Sequence, residues 1–294
     1  MLKDKNTIIE HHIDISDEII EQKINVLELL ANSVELSKQQ LKNAMAKGSV
    51  WLSETADSKK ARPIRRKNTK LKSGNRIHLY FNNQVLSQVP CRPTLVKDEK
   101  DYSIWNKPYG VWSQGSKWGD HCSIGRLVEA EFNFERQTFV VHRLDRAASG
   151  LIIIAHHKKA AQKLSELFSR NQLEKVYQAR VKGKFQSEEL IIKEPVDDKA
   201  ATSIVNRLNY DDEKDISLLE VKIETGRKHQ IRKHLVWAGF PIIGDRLYGD
   251  DKDPHDDLQL SAVGLKFICP LSEQDRQYWL MNDTQEHGQA ASEN

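Results

Sequence analysis

One carboxylate, Asp145, stands between Arg143 and Arg146 in the stretch F-V-V-H-R-L-D-R-A-A-S-G-L-I-I-I-A that runs from residue 139 to 155. A buried charge must be compensated, because an unpaired one is strongly destabilising. The flanking guanidiniums favour the ionised form. A carboxylate kept charged in this way can act as a nucleophile or a base. It can equally be a structural ion pair at a sheet edge, and this stretch alone leaves both readings open. Other chemistries find little support. His11-His12 and His156-His157 are adjacent pairs, not the spacing that puts two metal ligands on one face. His255, among Asp253, Asp256 and Asp257, reads as part of a solvated loop. There is no G-x-x-x-x-G-K-[ST] or G-x-G-x-x-G pattern and no serine or cysteine in a nucleophile elbow. No metal and no cofactor is therefore expected. What remains is an aspartate, several arginines, a strand tyrosine and a basic segment.

The elements that must position these groups follow from periodicity. Residues 139–141 and 151–154 are apolar and β-branched, and read as buried strands on either side of His142-Arg143-Leu144-Asp145-Arg146, bounded by a Ser149-Gly150 break. Residues 175–182 alternate, with Tyr177, Ala179 and Val181 on one face of a strand. A tyrosine so placed is, taken alone, a core residue with a hydrogen-bonded hydroxyl. Ile231, Leu235 and Ala238 share one helix face, ended by Gly239 and Pro241. Arg232 lies one residue from that stripe, so its guanidinium could reach a carboxylate at the sheet. The pattern further predicts a helix over 158–174, strands over 203–208 and 216–223, and last strands over 242–248 and 258–267. Tyr102 opens a strand that ends at Lys107-Pro108, and the Gly- and Ser-rich segment 113–120 is predicted to be mobile.

With 294 residues the chain can hold one large and one small domain. A hydrophobic content of 38% against 30% charged residues describes a polar, soluble protein with no membrane-length apolar run. The three cysteines are scattered, which suits a reducing cytoplasm, and a monomer is expected. Net charge is only +3, but it is unevenly spread. Between residues 59 and 76 there are nine basic residues and no acidic one, including Arg65, Arg66 and Lys67. Ahead of this patch, residues 18–32 have helical periodicity, Ser37 caps a second helix that Gly48 stops, and strands follow at 50–52 and 77–81. The expected organisation is a lead-in over 1–15, a small domain over 16–85, a linker over 86–98, a main domain over 99–280 and a disordered tail over 281–294.

The blocks S-K-Q-Q-L-K-N-A-M-A-K-G-S-V-W-L and T-K-L-K-S-G-N-R-I-H-L resemble the small RNA-binding domain named after ribosomal protein S4. That resemblance implies phosphate contacts from the second helix and the basic residues after it. Four further blocks resemble the RluA-type pseudouridine synthases. They are N-K-P-Y-G at 106–110, H-R-L-D-R-A-A-S-G at 142–150, K-V-Y-Q-A-R-V-K-G at 175–183, and T-G-R-K-H-Q-I-R-K-H-L with G-F-P-I-I-G-D-R-L-Y-G between 225 and 249. Carried over residue by residue, this resemblance implies Asp145 as the catalytic aspartate, Tyr177 as the tyrosine that stacks on uracil, and Arg232 as the arginine that pairs with Asp145. Arg143 would help occupy the gap left by an extruded nucleotide, and His142, Lys107 and Arg227 would join the RNA-binding set.

The implied fold is α+β: a mixed, largely antiparallel sheet with flanking helices and a central RNA cleft, beside a small α/β S4-like domain. The implied activity is isomerisation of uridine in a structured RNA, ribosomal RNA in preference to transfer RNA. Two departures bear on substrate choice: Ala148 replaces a threonine common in relatives, and Leu260-Ser261-Ala262 stands for a usual L-H-A. The competing reading is an RNA-binding, ribosome-associated protein with an idle synthase domain. Intact Asp145, Tyr177 and Arg232 weigh against it.

Overall fold

A computed structural model describes residues 7–249 and 257–280. The chain divides into two units, the first running to Pro90 and including Gln114–Arg126, the second comprising Cys91–Ser113 and the chain from Leu127 onward. The tail expected over 281–294 and the His255 loop lie outside the described residues, apart from Asp257.

The first unit opens with β1 (Ile8–Asp14), where a lead-in was expected. Its polar side chains mask a strand that pairs antiparallel with a later one and half-buries only alternate residues. Then come α1 (Asp17–Glu21), α2 (Val26–Ser33), α3 (Lys38–Ala46), β2 (Val50–Ser53), β3 (Ala61–Pro63), β4 (Arg76–Asn82) and α4 (Asn83–Leu86). The sheet order is β1-β4-β2-β3. The single helix predicted over 18–32 is broken in two. Lys23 turns left-handed at φ +53°, and Asn25 starts a fresh capping box with Glu28. Ser37 and Gln40 cap α3 in the same way.

Leu30, Leu41, Ile77 and Leu79 meet in a closed core, each contributing about 2 kcal/mol by burial. The segment predicted to be mobile is instead pinned. Trp51 Nε1 donates to the Lys117 carbonyl at 3.2 Å, and Asp120 pairs with Arg65 beside Gly48, where a Cβ would collide with the Asp120 carboxylate.

The second unit contains β5 (Thr94–Asp98), β6 (Tyr102–Lys107), α5 (Ile124–Glu131, whose first turn belongs to the first unit), β7 (Phe139–Val140), β8 (Ser149–Ala155), α6 (Lys158–Ser169) and β9 (Leu173–Lys182). It continues through β10 (Glu189–Ile192), β11 (Ser203–Asp211), β12 (Ile216–Ile223), α7 (Gln230–Trp237), β13 (Leu260–Ile268) and β14 (Asp275–Trp279). The expected linker over 86–98 thus contains an edge strand, β5, paired with β6.

The sheet runs β10-β11-β12-β9-β13-β8-β6-β5, with β14 and β7 attached to β13 and β8. Its described pairings are antiparallel except β8 with β13, so the mixed, largely antiparallel α+β sheet expected from the sequence is present. Residues 151–155 of β8 are buried on both faces, as their unbroken apolar run requires. Helix α6 ends at Ser169, short of the predicted 174, because Asn171 turns left-handed and β9 begins two residues later. Among the described residues no helix is long and apolar enough to cross a membrane.

The parallel contact beside Asp145 depends on Gly150. Its φ is +112°, and a Cβ there would lie 2.3 Å from the Ala262 carbonyl oxygen. Gly150→Ala is expected to lower stability by about 2 kcal/mol or more, measured by chemical denaturation. Stability equal to the natural chain would show that β8 and β13 can part without penalty.

Candidate active site

Asp145 sits in the turn between β7 and β8, and backbone contacts hold that turn from two directions. Ser113 Oγ donates to the Leu144 carbonyl at 2.6 Å and accepts from the Leu144 amide at 3.0 Å. The Gly110 amide donates to the Arg146 carbonyl at 2.9 Å. Beneath lies Lys107, 0% exposed, whose ammonium donates to the carbonyls of Pro108, Val111 and Ala148. Burial pulls its pKa down to about 8, while the charge of Asp145 acts in the other direction. Lys107 was expected at the RNA, but full burial keeps its ammonium from reaching a phosphate; it ties the N-K-P-Y-G loop to the aspartate turn instead.

A cleft of about 310 Å³ opens above the turn, lined by Arg143, Asp145, Tyr177, Arg227, His229 and Arg232 among others. Strand β9 presents Tyr177 there, half-buried on the face shared with Ala179 and Val181. Burial, and then the charge of Asp145, raise its hydroxyl above the ordinary tyrosine range, so it faces the cleft as a neutral phenol. Arg143 is exposed and Arg227 donates through Nε to the Ala200 carbonyl at 3.0 Å.

Arg232 forms the expected ion pair with Asp145, but a loose one. Its side chain is 4% exposed, and its Nη1 lies 3.9 Å from Asp145 Oδ2. The close partner is Asp245, which accepts from Arg232 Nε at 2.7 Å and from Nη2 as well. Asp245 comes from residues 242–248, predicted as a strand. The structure makes only an isolated bridge at Ile242 and then a turn, because the Asp245 carboxylate also accepts the amides of Leu247 and Tyr248. Burial pushes its pKa up, but Arg232 and these amides outweigh burial and leave it lowered. The guanidinium, which burial would weaken, is strengthened in turn by Asp245 and then Asp145.

Two further groups had no role in the sequence reading. His229 occupies the position just before α7 in a left-handed conformation at φ +56°, which costs about 1 kcal/mol for a side chain with a Cβ. Its Nε2 lies 3.6 Å from Asp145 Oδ1, and its Nδ1 lies 2.9 Å from the Tyr248 hydroxyl. A lone carboxylate in the apolar run Ile242-Ile243-Gly244-Asp245 was the available signal, since such a group needs a buried cation. No local pattern marked His229 or Tyr248.

His142, expected at the RNA, lies elsewhere. Its ring stacks on Phe168 at 4.1 Å, and Nε2 accepts the Ile153 amide at 3.0 Å. Burial, with the Lys175 charge acting in the same sense, pulls its pKa down to about 3. Arg65 is engaged within the first unit by the Ala46 carbonyl and Asp120, whereas Arg66 and Lys67 are exposed there.

Removing one partner of a buried ion pair costs about 3–5 kcal/mol. Asp245→Asn is expected to lower stability on that scale in chemical denaturation; an unchanged midpoint would mean that Arg232 re-pairs at no cost. His142 gives a pH effect of known sign. The unfolded chain binds its proton near the ordinary 6.5 and the folded chain only near 3, so stability falls as pH drops through that interval. His142→Asn is expected to flatten that slope in denaturation curves taken across it, and an unaltered slope would exclude His142 as the source.

Comparison with known proteins fits this geometry. A family model described as RNA pseudouridylate synthase matches residues 101–237. An uncharacterised RNA pseudouridine synthase of Zymomonas mobilis is 34% identical over 165 residues, covering 51% of this chain and 75% of the relative. Ribosomal large subunit pseudouridine synthase D of Borreliella burgdorferi is 30% identical, covering 55% of this chain and 58% of its own length. The tRNA pseudouridine synthase C of Vibrio parahaemolyticus is 27% identical, covering 63% and 89% respectively. The solved structure of human RNA pseudouridylate synthase domain containing 1 shares the fold, with a TM-score of 0.57 at 21% identity over 66% of this chain and 86% of that one. With Asp145, Tyr177 and Arg232 all inside the matched region, this chain belongs to the RNA pseudouridine synthase family, a family of isomerases.

Proposed function

We propose that this chain isomerises uridine to pseudouridine in a structured RNA, ribosomal RNA in preference to transfer RNA, with Asp145 at the reacting centre. The observation that carries this reading is the state of the Asp145 carboxylate. It is 22% exposed to the cleft, and two donors stand 3.6 and 3.9 Å away, beyond ordinary hydrogen-bond range. A carboxylate stabilised by nearby positive charge but not consumed by it keeps lone pairs free to attack or to take a proton.

Isomerisation breaks the bond from N1 to the sugar and makes one from C5; the C5 proton leaves and N1 gains one. Atoms and charge balance without a co-reactant. Asp145 serves as nucleophile or base in that sequence, Tyr177 packs on the extruded uracil, and Arg232 supplies positive potential. The target must leave its stack, which costs a few kcal/mol, less for a loop nucleotide; Arg143 at the cleft would help fill the gap. The first unit acts in this reading as an S4-like appendage that adds phosphate affinity through exposed Arg66 and Lys67. The relatives named for ribosomal and transfer RNA support an RNA substrate of either kind.

Tritium release from RNA labelled at uracil C5 tests the reading. The natural chain is expected to release label from ribosomal RNA, and Asp145→Asn to slow release by about a thousandfold or more. Full release by Asp145→Asn would remove Asp145 from the chemistry. Release from transfer RNA alone would reassign the substrate, and none from either would favour an RNA-binding protein with an idle domain.

A further inference from the structure

We propose that His229 is a positioning residue for Asp145, held by the Tyr248 hydroxyl in the tautomer that presents Nε2–H to the carboxylate. This rests on the functional reading above and goes beyond it, because it assigns the hydrogen-bond direction along Tyr248, His229 and Asp145.

Three observations carry it. First, the imidazole bridges the two partners, with Nδ1 2.9 Å from the Tyr248 oxygen and Nε2 3.6 Å from Asp145 Oδ1. A neutral imidazole has one donor and one acceptor. The carboxylate only accepts, so the arrangement without conflict has Tyr248 donating to Nδ1 and Nε2–H facing Asp145. Second, His229 adopts a left-handed backbone conformation and makes no side-chain cap to α7. Strain of this kind persists where surrounding contacts impose it, and here it aims the ring into the cleft. Third, Tyr248 is fixed by the same turn that fixes Arg232: its amide donates to Asp245, and its ring lies 5.0 Å from the Arg232 guanidinium.

The groups acting on His229 also keep it neutral. Burial lowers its pKa, Asp145 opposes that, and Arg232, Lys228 and Lys233 reinforce it. Tyr248 and the more distant Asp197 are the other titratable groups on this side. The 3.6 Å gap closes to a hydrogen bond when substrate fills the cleft, and Oδ1 is then held while Oδ2 stays available to react.

The test combines nitrogen NMR of the imidazole with kinetics on C5-labelled RNA. Near pH 7, His229 is expected to show a protonated Nε2 and an unprotonated Nδ1. Tyr248→Phe is expected to shift that population towards Nδ1–H. His229→Ala is expected to lower kcat by about tenfold to a hundredfold with KM for RNA unchanged. His229→Gln, whose amide restores a donor near Nε2, should recover most of that loss and move the acid limb of the kcat profile to lower pH.

Tyr248→Phe should slow the natural chain yet add nothing in the His229→Gln background, as a coupled pair requires. An Nδ1–H tautomer in the natural chain, no kcat loss in His229→Ala, or independent effects of the two positions would overturn the proposal. The nitrogen spectra decide the tautomer even if no RNA is turned over. Absence of turnover by the natural chain itself would count against the functional reading instead.

Discussion

The site depends on a cation that is both out of water and already occupied. Arg232 is 4% exposed, so its charge must be matched nearby. A carboxylate that took both prongs of the guanidinium would have an acceptor site on each oxygen occupied. Asp245 takes Nε and Nη2 instead, and only Nη1 is left towards Asp145. Asp145 therefore receives positive potential without being neutralised. The same pair fixes α7 against the 243–249 turn, and so sets where His229 and Tyr248 stand.

A second buried cation works from below. The Lys107 ammonium is bound by three carbonyls rather than by a carboxylate. It adds to the positive field at Asp145 while fastening the loop that follows β6 to the turn before β8. With Ser113 holding Leu144 on the other side, the backbone around Asp145 has little freedom. The main chain fixes where the carboxylate starts and the cations supply potential, so neither blocks the reacting oxygen.

The first unit shows the same rule at work on a surface of positive charge. The nine basic residues between 59 and 76 have no acidic residue among them, yet Arg65 is consumed by Asp120, a residue 55 positions away. Charge counted along a chain is an upper bound on charge available to a partner. Residues such as Arg66 and Lys67, which remain exposed, are the ones left to meet phosphate.

Local patterns made much of the architecture legible. The apolar run of β8, the alternation of β9, the Ser37 cap and the Gly48 stop all report burial or backbone geometry within a few residues, which neighbouring side chains and steric limits decide. The blocks around Asp145, Tyr177 and Arg232 likewise marked the three side chains that the fold gathers in one cleft. Edge strands such as β1, β5 and β14 were illegible because one face and one edge meet water, so their side chains carry little apolar signal. The break after Lys23 and the turn at Asp245 were hidden for a related reason, since a capping or paired polar group overrode the apolar periodicity. What the sequence determined was which groups could do chemistry and which segments must be buried. Only the tertiary structure decided who partners whom, because Arg232 with Asp245, Lys107 with the Ala148 carbonyl, and His229 with Tyr248 are pairings between separate elements, and the partner of a buried charge is chosen by distance in space rather than along the chain.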